Sequence, residues 1–279
     1  MLVNSKQILL EAKEGHYAVP APDFLDLDSA RTYVQVAEKL GKPVILSFAQ
    51  IHKDTISLEE AAVIGKFLGE RASVPVVLHL DHGQDMDYVR RAVALGFTSV
   101  MLDASMDPFD ENVRKTKEAV ELAHAHNITV EAEMGHVGQG ANYTNYDESD
   151  SVYTSVEEAR EFVRLTNVDS LAVSIGTAHG VYKGNGKPVL NFERLQQLQE
   201  ALDVPLVLHG GSGTGEDNLR RCAAGGICKL NLFTDFLLSA MAQLEATPPA
   251  DYFQLKKLSN QAMAAKLEEY YGICRGLLK

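Results

Sequence analysis

Eight short apolar runs recur along the chain with helical segments between them, and this alternation narrows the possible folds more than any other feature. The runs are Tyr17–Pro20, Pro43–Phe48, Val74–Asp81, Thr98–Asp103, Thr129–Met134, Ser170–Gly176, Val204–Gly210 and Gly226–Leu232. Most are near-continuous in apolar or β-branched residues rather than alternating, as expected of parallel strands covered on both faces. The intervening segments carry helix spacing and helix ends. Asp28–Leu40 places Ala30, Val34, Ala37 and Leu40 on one face and stops at Gly41-Lys-Pro43, while Ser57-Leu-Glu-Glu60 is a capping box opening Ala61–Arg71. Further helices are expected at Asp85–Leu95, Asp110–Asn127, from Ser155-Val-Glu-Glu158, at Asn191–Leu202 and at Glu216–Ala224. Eight strands alternating with helices predict an α/β fold, a (β/α)8 TIM barrel, with residues 1–279 as a single domain. A doubly wound sheet is the rival, but no GxGxxG turn follows the first run.

Two stretches stand outside the repeat. Gly135-His-Val-Gly138-Gln-Gly140 and the aperiodic polar run Ala141–Ser151 follow the fifth strand, and a loop that long is usually an active-site lid or disordered. After the eighth strand, Asp235–Ala246 and Asp251–Tyr271 read as extra C-terminal helices separated by Thr247-Pro-Pro249, for barrel closure or a subunit contact.

The charge balance excludes several partner classes. With 26 Lys and Arg against 38 Asp and Glu, the net charge is −12, so no nucleic acid and no membrane surface is expected as a partner. An anionic metabolite would need a locally built site. Cys222, Cys228 and Cys274 form no CxxC pair, which fits a reducing compartment. The first seventeen residues include Glu11 and Glu14 and lack a long apolar core, and no stretch reaches 18 apolar residues. The expectation is a soluble cytoplasmic protein.

In a barrel the chemistry sits at the C-terminal ends of the strands. Those ends read Asp81-His82, Asp103, Glu131 and Glu133, His179, His209 and Asn231. Each histidine alone reads as an ordinary core or loop residue, but three from different strands beside an aspartate match a catalytic zinc site with one position open. His16, His52, His79, His124 and His126 show no partner set, and His136 lies at the root of the lid. Gly176-Thr-Ala-His179-Gly180, His209-Gly-Gly-Ser-Gly213 and Asn231-Leu-Phe-Thr234 supply glycines, hydroxyls and a helix start where barrels bind phosphate. Metal, phosphate and Asp81 together suggest a reaction on a phosphorylated carbonyl compound. Zinc would polarise the carbonyl and stabilise an enediolate, with Asp81 moving the C4 hydroxyl proton in carbon–carbon cleavage.

The motifs Leu78-His-Leu-Asp-His-Gly83, Val100-Met-Leu-Asp-Ala-Ser105, Val130-Glu-Ala-Glu-Met-Gly135, Ser174-Ile-Gly-Thr-Ala-His-Gly180, Leu208-His-Gly-Gly-Ser-Gly213 and Lys229-Leu-Asn231 run in order from the third strand to the eighth. As a set they resemble the class II, zinc-dependent fructose/tagatose-bisphosphate aldolase family, with weaker similarity over nearly the whole chain. The resemblance implies a carbon–carbon lyase of carbohydrate metabolism, glycolysis included, that forms homodimers or homotetramers and releases dihydroxyacetone phosphate without a Schiff base. It implies Zn2+ on His82, His179 and His209, with Asp103 and Glu133 as carboxylates that hold a displaced or second metal. It gives Asp81 the acid/base role, and it places Gly180, Lys183, Gly211, Ser212, Asn231 and Thr234 around the phosphorylated substrate. A monovalent cation, Na+ or K+, would lie on carbonyls near Gly180 and Ser212.

The departures concern the substrate. Where the family has Ala-Phe-Asn this chain has Ala21-Pro-Asp23, making Asp23 a candidate substrate contact, and Ala49 replaces a hydroxyl residue. The lid reads Gly138-Gln-Gly-Ala-Asn142 without the family glutamate that moves the C3 proton, so Glu148 or Asp147 is the candidate substitute. Phe233 and Leu237 stand where relatives place an acceptor and a cation for a far phosphate. The first reading is therefore an aldolase for a ketose 1-phosphate whose far end is not a phosphate. A bisphosphate aldolase using Arg275 or a neighbouring subunit is the second reading, and a catalytically silent zinc and sugar-phosphate binder the third. A zinc hydrolase would favour an HxH pair on the first strand, which is absent.

Overall fold

The computed structural model describes residues 1–135, 137–139, 153–180 and 187–275. In chain order its strands are β1 (Val19–Pro22), β2 (Val44–Ala49), β3 (Val76–Gly83), β4 (Ser99–Leu102), β5 (Thr129–Met134), β6 (Gly138–Gln139), β7 (Ser170–Val173), β8 (Ala178–His179), β9 (Leu206–Leu208) and β10 (Ile227–Leu232). Its α-helices are α1 (Lys6–Gly15), α2 (Leu27–Leu40), α3 (Leu58–Arg71), α4 (Met86–Leu95), α5 (Phe109–His124), α6 (Val156–Thr166), α7 (Phe192–Ala201), α8 (Glu216–Ala224), α9 (Thr234–Ala246) and α10 (Tyr252–Ile273). Eight strands form one parallel sheet in the order β1-β10-β9-β7-β5-β4-β3-β2. A bridge from Asp23 to Ser47 joins β1 to β2 at their C-terminal ends, and Phe24 N–H donates to Ser47 O at 3.0 Å. The fold is a (β/α)8 TIM barrel.

Local chemistry sets the helix boundaries. The Ser57–Glu60 capping box forms as the sequence predicts, with Glu60 Oε2 accepting from Ser57 N at 2.8 Å. Asp26 and Asp85 cap α2 and α4, each accepting an N–H three residues on at 2.7 Å. Gly41 ends α2 at φ 62°, a left-handed turn that glycine adopts freely.

Several boundaries differ from the sequence reading. The first strand spans Val19–Pro22 rather than Tyr17–Pro20, because Tyr17 N–H closes the end of α1 on Ala12 O at 3.1 Å, a helix absent from the sequence reading. Its Ile8, Leu9 and Ala12 pack on Val19, Ala21, Ile45, Val77 and Cys228, filling the N-terminal end of the barrel with an apolar plug. The shift sets Asp23 at the C-terminal mouth. The sixth run ends as sheet at Val173, and Ala178–His179 turn away to pair with Gly138–Gln139. Of the two C-terminal helices, α10 packs on α9 and on α2, with Lys39 to Glu268 at 2.7 Å and Tyr271 Oη donating to Pro43 O at 2.8 Å. It thus covers the side of the barrel where β1 meets β2. Arg275 lies with Tyr17, Pro20, Gly41 and Pro43 at the N-terminal ends of β1 and β2, so it cannot reach the mouth of its own barrel. No helix among the described residues is long and apolar enough to cross a membrane.

Candidate active site

Strand alternation would point Asp81 and His82 to opposite faces of β3. The ladder to β4 slips between Leu80 and Gly83, and His82 sits at φ 45°, left-handed without being glycine. This bulge turns both side chains into the mouth, where both line the same cleft of about 400 Å³. Gly83 makes it possible, because a Cβ there would lie 2.5 Å from Met101 O. Gly210, beside His209, is similarly fixed: its φ is 67° and a Cβ would meet Ala178 O at 2.5 Å.

His82, His179 and His209 converge, one nitrogen from each lying within 4.8 Å of the others. His82 Nε2 and His209 Nδ1 face each other at 2.7 Å. Their opposite nitrogens are tied to carboxylates, His82 Nδ1 to Asp103 Oδ2 at 2.8 Å and His209 Nε2 to Glu131 Oε1 at 2.8 Å. Carboxylates in those positions hold the outer N–H groups, so that a metal displacing the proton shared by the inner nitrogens would find both lone pairs aimed at it. Burial pushes the His179 imidazole down to about 3, aided by His82 and His209, so it too offers a lone pair. Burial would also lower His82, but Asp81, Asp103 and Glu133 outweigh it and raise the ring to about 10. The field between the rings therefore stabilises positive charge. Glu133 Oε2 is buried without a hydrogen bond, 3.5 Å from His209 Nδ1, and with His82 and Asp103 it forms a second metal-capable group. Burial lifts the Glu133 carboxyl to about 7, against the pull of His209 and with a push from Asp103. Three imidazoles, two of them oriented by carboxylates, in a cation-favouring field, fit a zinc ion.

Beneath them lies a charged layer that the sequence reading did not assign. Lys229 Nζ, fully buried, donates to Glu131 at 2.8 and 3.0 Å and lies 3.1 Å from His79 Nε2. His79 Nδ1 pairs with Ser99 Oγ at 2.9 Å, so His79 does have partners, contrary to the sequence expectation. His79, Asp81 and Glu131 could by spacing hold a metal, but the Lys229 side chain already fills that cluster. Glu131 is held down to about 2: burial opposes ionisation, and Lys229 and His209 outweigh it. Removing one partner of a buried pair strands the other, at a cost of roughly 3–5 kcal/mol. Lys229→Met is therefore expected to lower unfolding stability by about that amount in a denaturant titration.

Asp81 Oδ1 accepts from Asn231 Nδ2 at 2.7 Å, and Oδ2 lies 4.0 Å from His82 Nε2. Burial opposes its charge, but His82, His79, His209 and Lys229 hold the carboxyl well below the usual range, so it is ionised at neutral pH. Asp23 is the opposite case: burial and the Asp81 charge push its carboxyl well above the ordinary value.

Gly180, Gly211, Ser212, Asn231 and Thr234 line the same cleft as the histidines. Ser212 Oγ accepts from Phe233 N at 3.1 Å and Asp235 N at 3.3 Å, which places its hydroxyl against the N-terminus of α9. Asp23, Asp81, Asp103 and Glu133 also line the cleft, as do Ala49 and Phe233. Leu237 is half-buried on α9 and is not among the lining residues, so the sequence reading that set it at the far end of the substrate is not supported within one chain. Lys183, Glu148, Asp147 and His136 lie outside the described residues. His52, set aside in the sequence reading, lines the cleft with its ring on Phe233.

Barrel, histidine cluster and helix-start cradle together define an enzyme that works at the C-terminal mouth of a (β/α)8 fold. A family model described as "Fructose-bisphosphate aldolase class-II" matches residues 3–276. The D-tagatose-1,6-bisphosphate aldolase subunit GatY of Klebsiella oxytoca is 36% identical over 285 residues, covering 99% of this chain and 99% of that protein. The crystal structure of the YdjI aldolase from Escherichia coli K12 superposes with a TM-score of 0.89 at 33% identity, over 99% of this chain and 98% of that one. A putative fructose-1,6-biphosphate aldolase from Coccidioides immitis follows with a TM-score of 0.85 at 28% identity, over 96% and 95%. The chain belongs to the class II fructose-bisphosphate aldolase family. It is an aldolase, a carbon–carbon lyase.

Proposed function

We propose that this aldolase reversibly cleaves a ketose 1-phosphate to dihydroxyacetone phosphate and an aldehyde, with His82, His179 and His209 holding one zinc ion. The paired carboxylate tethers on His82 and His209 carry this reading, because they orient two lone pairs toward one point. When bound there, zinc supplies a Lewis acid that polarises the ketose carbonyl and accommodates negative charge on its oxygen.

The chain's own groups do the rest. The N-terminus of α9, with Gly211, Ser212 and Thr234, binds the C1 phosphate through backbone N–H and hydroxyl groups. Gly180 and Asn231 close the cradle from β8 and β10. Asp81, ionised and steadied by Asn231, removes the C4 hydroxyl proton. The C4–O bond becomes a carbonyl, the C3–C4 bond breaks, and its electron pair passes toward the C2 carbonyl. A proton then returns to C3, and Glu148 is our assignment for that donor, with Lys183 a further phosphate contact. Cleavage of a 1,6-bisphosphate is the second reading, favoured by the printed name of the Klebsiella relative.

The test is release of dihydroxyacetone phosphate from ketose 1-phosphates and their 1,6-bisphosphates, by protein stripped of metal and reloaded with zinc. Release that requires zinc and survives borohydride treatment with substrate supports the proposal. Zinc-independent release, or inactivation by borohydride, would refute it.

A further inference from the structure

Resting on that reading, we propose that Asp23, His52 and Phe233 form a recognition site for an uncharged, hydroxylated substrate tail. The phosphate cradle lies on β8, β9 and β10, the histidines stand over the centre, and Asp81 at the end of β3 meets C4. Carbons beyond C4 therefore run over the ends of β1 and β2, where Asp23, Ala49, Ile51 and His52 line the cleft.

Two residues of that wall each carry a buried polar atom without a hydrogen bond. Asp23 is 9% exposed, and its Oδ1 is buried without a hydrogen bond. His52 Nδ1 is also buried without one. The backbone beside them holds these groups in place: Asp23 N–H donates to Leu232 O at 3.0 Å. The His52 ring packs on the Phe233 ring with centroids 4.4 Å apart. Phe233 thus divides the cleft, its N–H on Ser212 in the phosphate cradle and its ring toward His52.

Buried polar atoms without partners are costly, so a ligand that satisfies them gains affinity and specificity. A sugar hydroxyl both donates and accepts, and so it pairs with the Asp23 carboxyl in either protonation state and with either nitrogen state of His52. A phosphate dianion only accepts, and it would bring its charge beside the ionised Asp81. Among the described residues lining the cleft there is no lysine or arginine to compensate it. Burial lowers the pKa of His52, so its ring is not a substitute cation. The wall is built for hydroxyls and against a second phosphate.

The experiment runs the zinc-loaded enzyme in the condensation direction, with dihydroxyacetone phosphate and either neutral glyceraldehyde and aldotetroses or glyceraldehyde 3-phosphate. The expected kcat/KM favours the neutral aldehydes by about tenfold or more, the discrimination available to a site whose polar groups must be satisfied. Asp23→Asn should move the ratio toward the phosphorylated aldehyde by about tenfold. His52→Leu should lower kcat/KM for the neutral aldehydes more than for the phosphorylated one, which keeps the test available if Asp23→Asn folds poorly. A wild-type preference for glyceraldehyde 3-phosphate, or a ratio unmoved in both variants, overturns the inference. Exchange of the C3 proton of dihydroxyacetone phosphate by wild-type enzyme, without any aldehyde, separates the two levels. If exchange proceeds while the ratio is wrong, only the tail site falls; if exchange is absent, the aldolase mechanism falls with it.

Discussion

Replacing His209 with alanine should remove zinc and turnover together while leaving the barrel folded. A Lewis acid at the carbonyl contributes several kcal/mol of transition-state stabilisation, which at about 1.36 kcal/mol per decade is roughly 10³–10⁴-fold in rate. The fold should survive because Glu131, the partner of His209, keeps its two contacts to Lys229 at 2.8 and 3.0 Å. No buried carboxylate is stranded. This contrasts with Lys229→Met, where the same Glu131 loses its cation, so the two variants should separate cleanly: one inactive and stable, the other destabilised. Metal content, turnover and a denaturation midpoint measured side by side decide it. Chelation of the wild type should reproduce the His209→Ala phenotype and be reversed by added zinc. Full turnover in the variant, or in demonstrably zinc-free wild type, would sink the three-histidine centre.

What the sequence made legible follows from one rule, that barrel chemistry gathers at the C-terminal strand ends. It brought His82, His179 and His209 together from strands β3, β8 and the end of β9, and the structure does assemble them within 4.8 Å. The rule gives no orientation. Period-two reasoning cannot place Asp81 and His82 on one side, since the bulge at Gly83 is a property of the β3–β4 pairing and not of the β3 sequence. The buried layer escaped for a related reason. His79 meets Ser99 and Lys229 across 20 and 150 residues, so its partners appear only once the barrel closes. A lysine at 229 and a glutamate at 131, each inside an apolar run, were the available signal, because such residues are rarely buried unless paired. The helix α1 is legible in principle, since Ile8, Leu9 and Ala12 share one face. Asp23 is a candidate substrate contact from the Ala21-Pro-Asp23 departure, and the two-residue shift of β1 sets it on the wall of the cleft.

Asp81→Asn should separate proton transfer from metal binding, because the carboxyl touches one process without being needed for the other. The amide keeps the shape and can still accept from Asn231, which holds Asp81 Oδ1 at 2.7 Å. His82 stays anchored, since its Nδ1 is tied to Asp103 at 2.8 Å and not to Asp81. Zinc content should therefore be unchanged. The amide cannot take a proton, so cleavage should fall by roughly 10²–10⁴-fold, the span of a positioned general base. Exchange of the C3 proton of dihydroxyacetone phosphate should persist, because that half-reaction involves no C4 hydroxyl. The three readouts have distinct failure patterns. Loss of zinc would show that Asp81 acts by placing His82, whose Nε2 lies 4.0 Å from its Oδ2. Loss of C3 exchange with zinc retained would show that one carboxylate serves both proton transfers, and Glu148 would then have no role in the reaction. Unimpaired cleavage would mean that the C4 proton leaves by another route, and Glu133, lifted to about 7 and carrying an unpaired oxygen in the same cleft, would be the group to replace next.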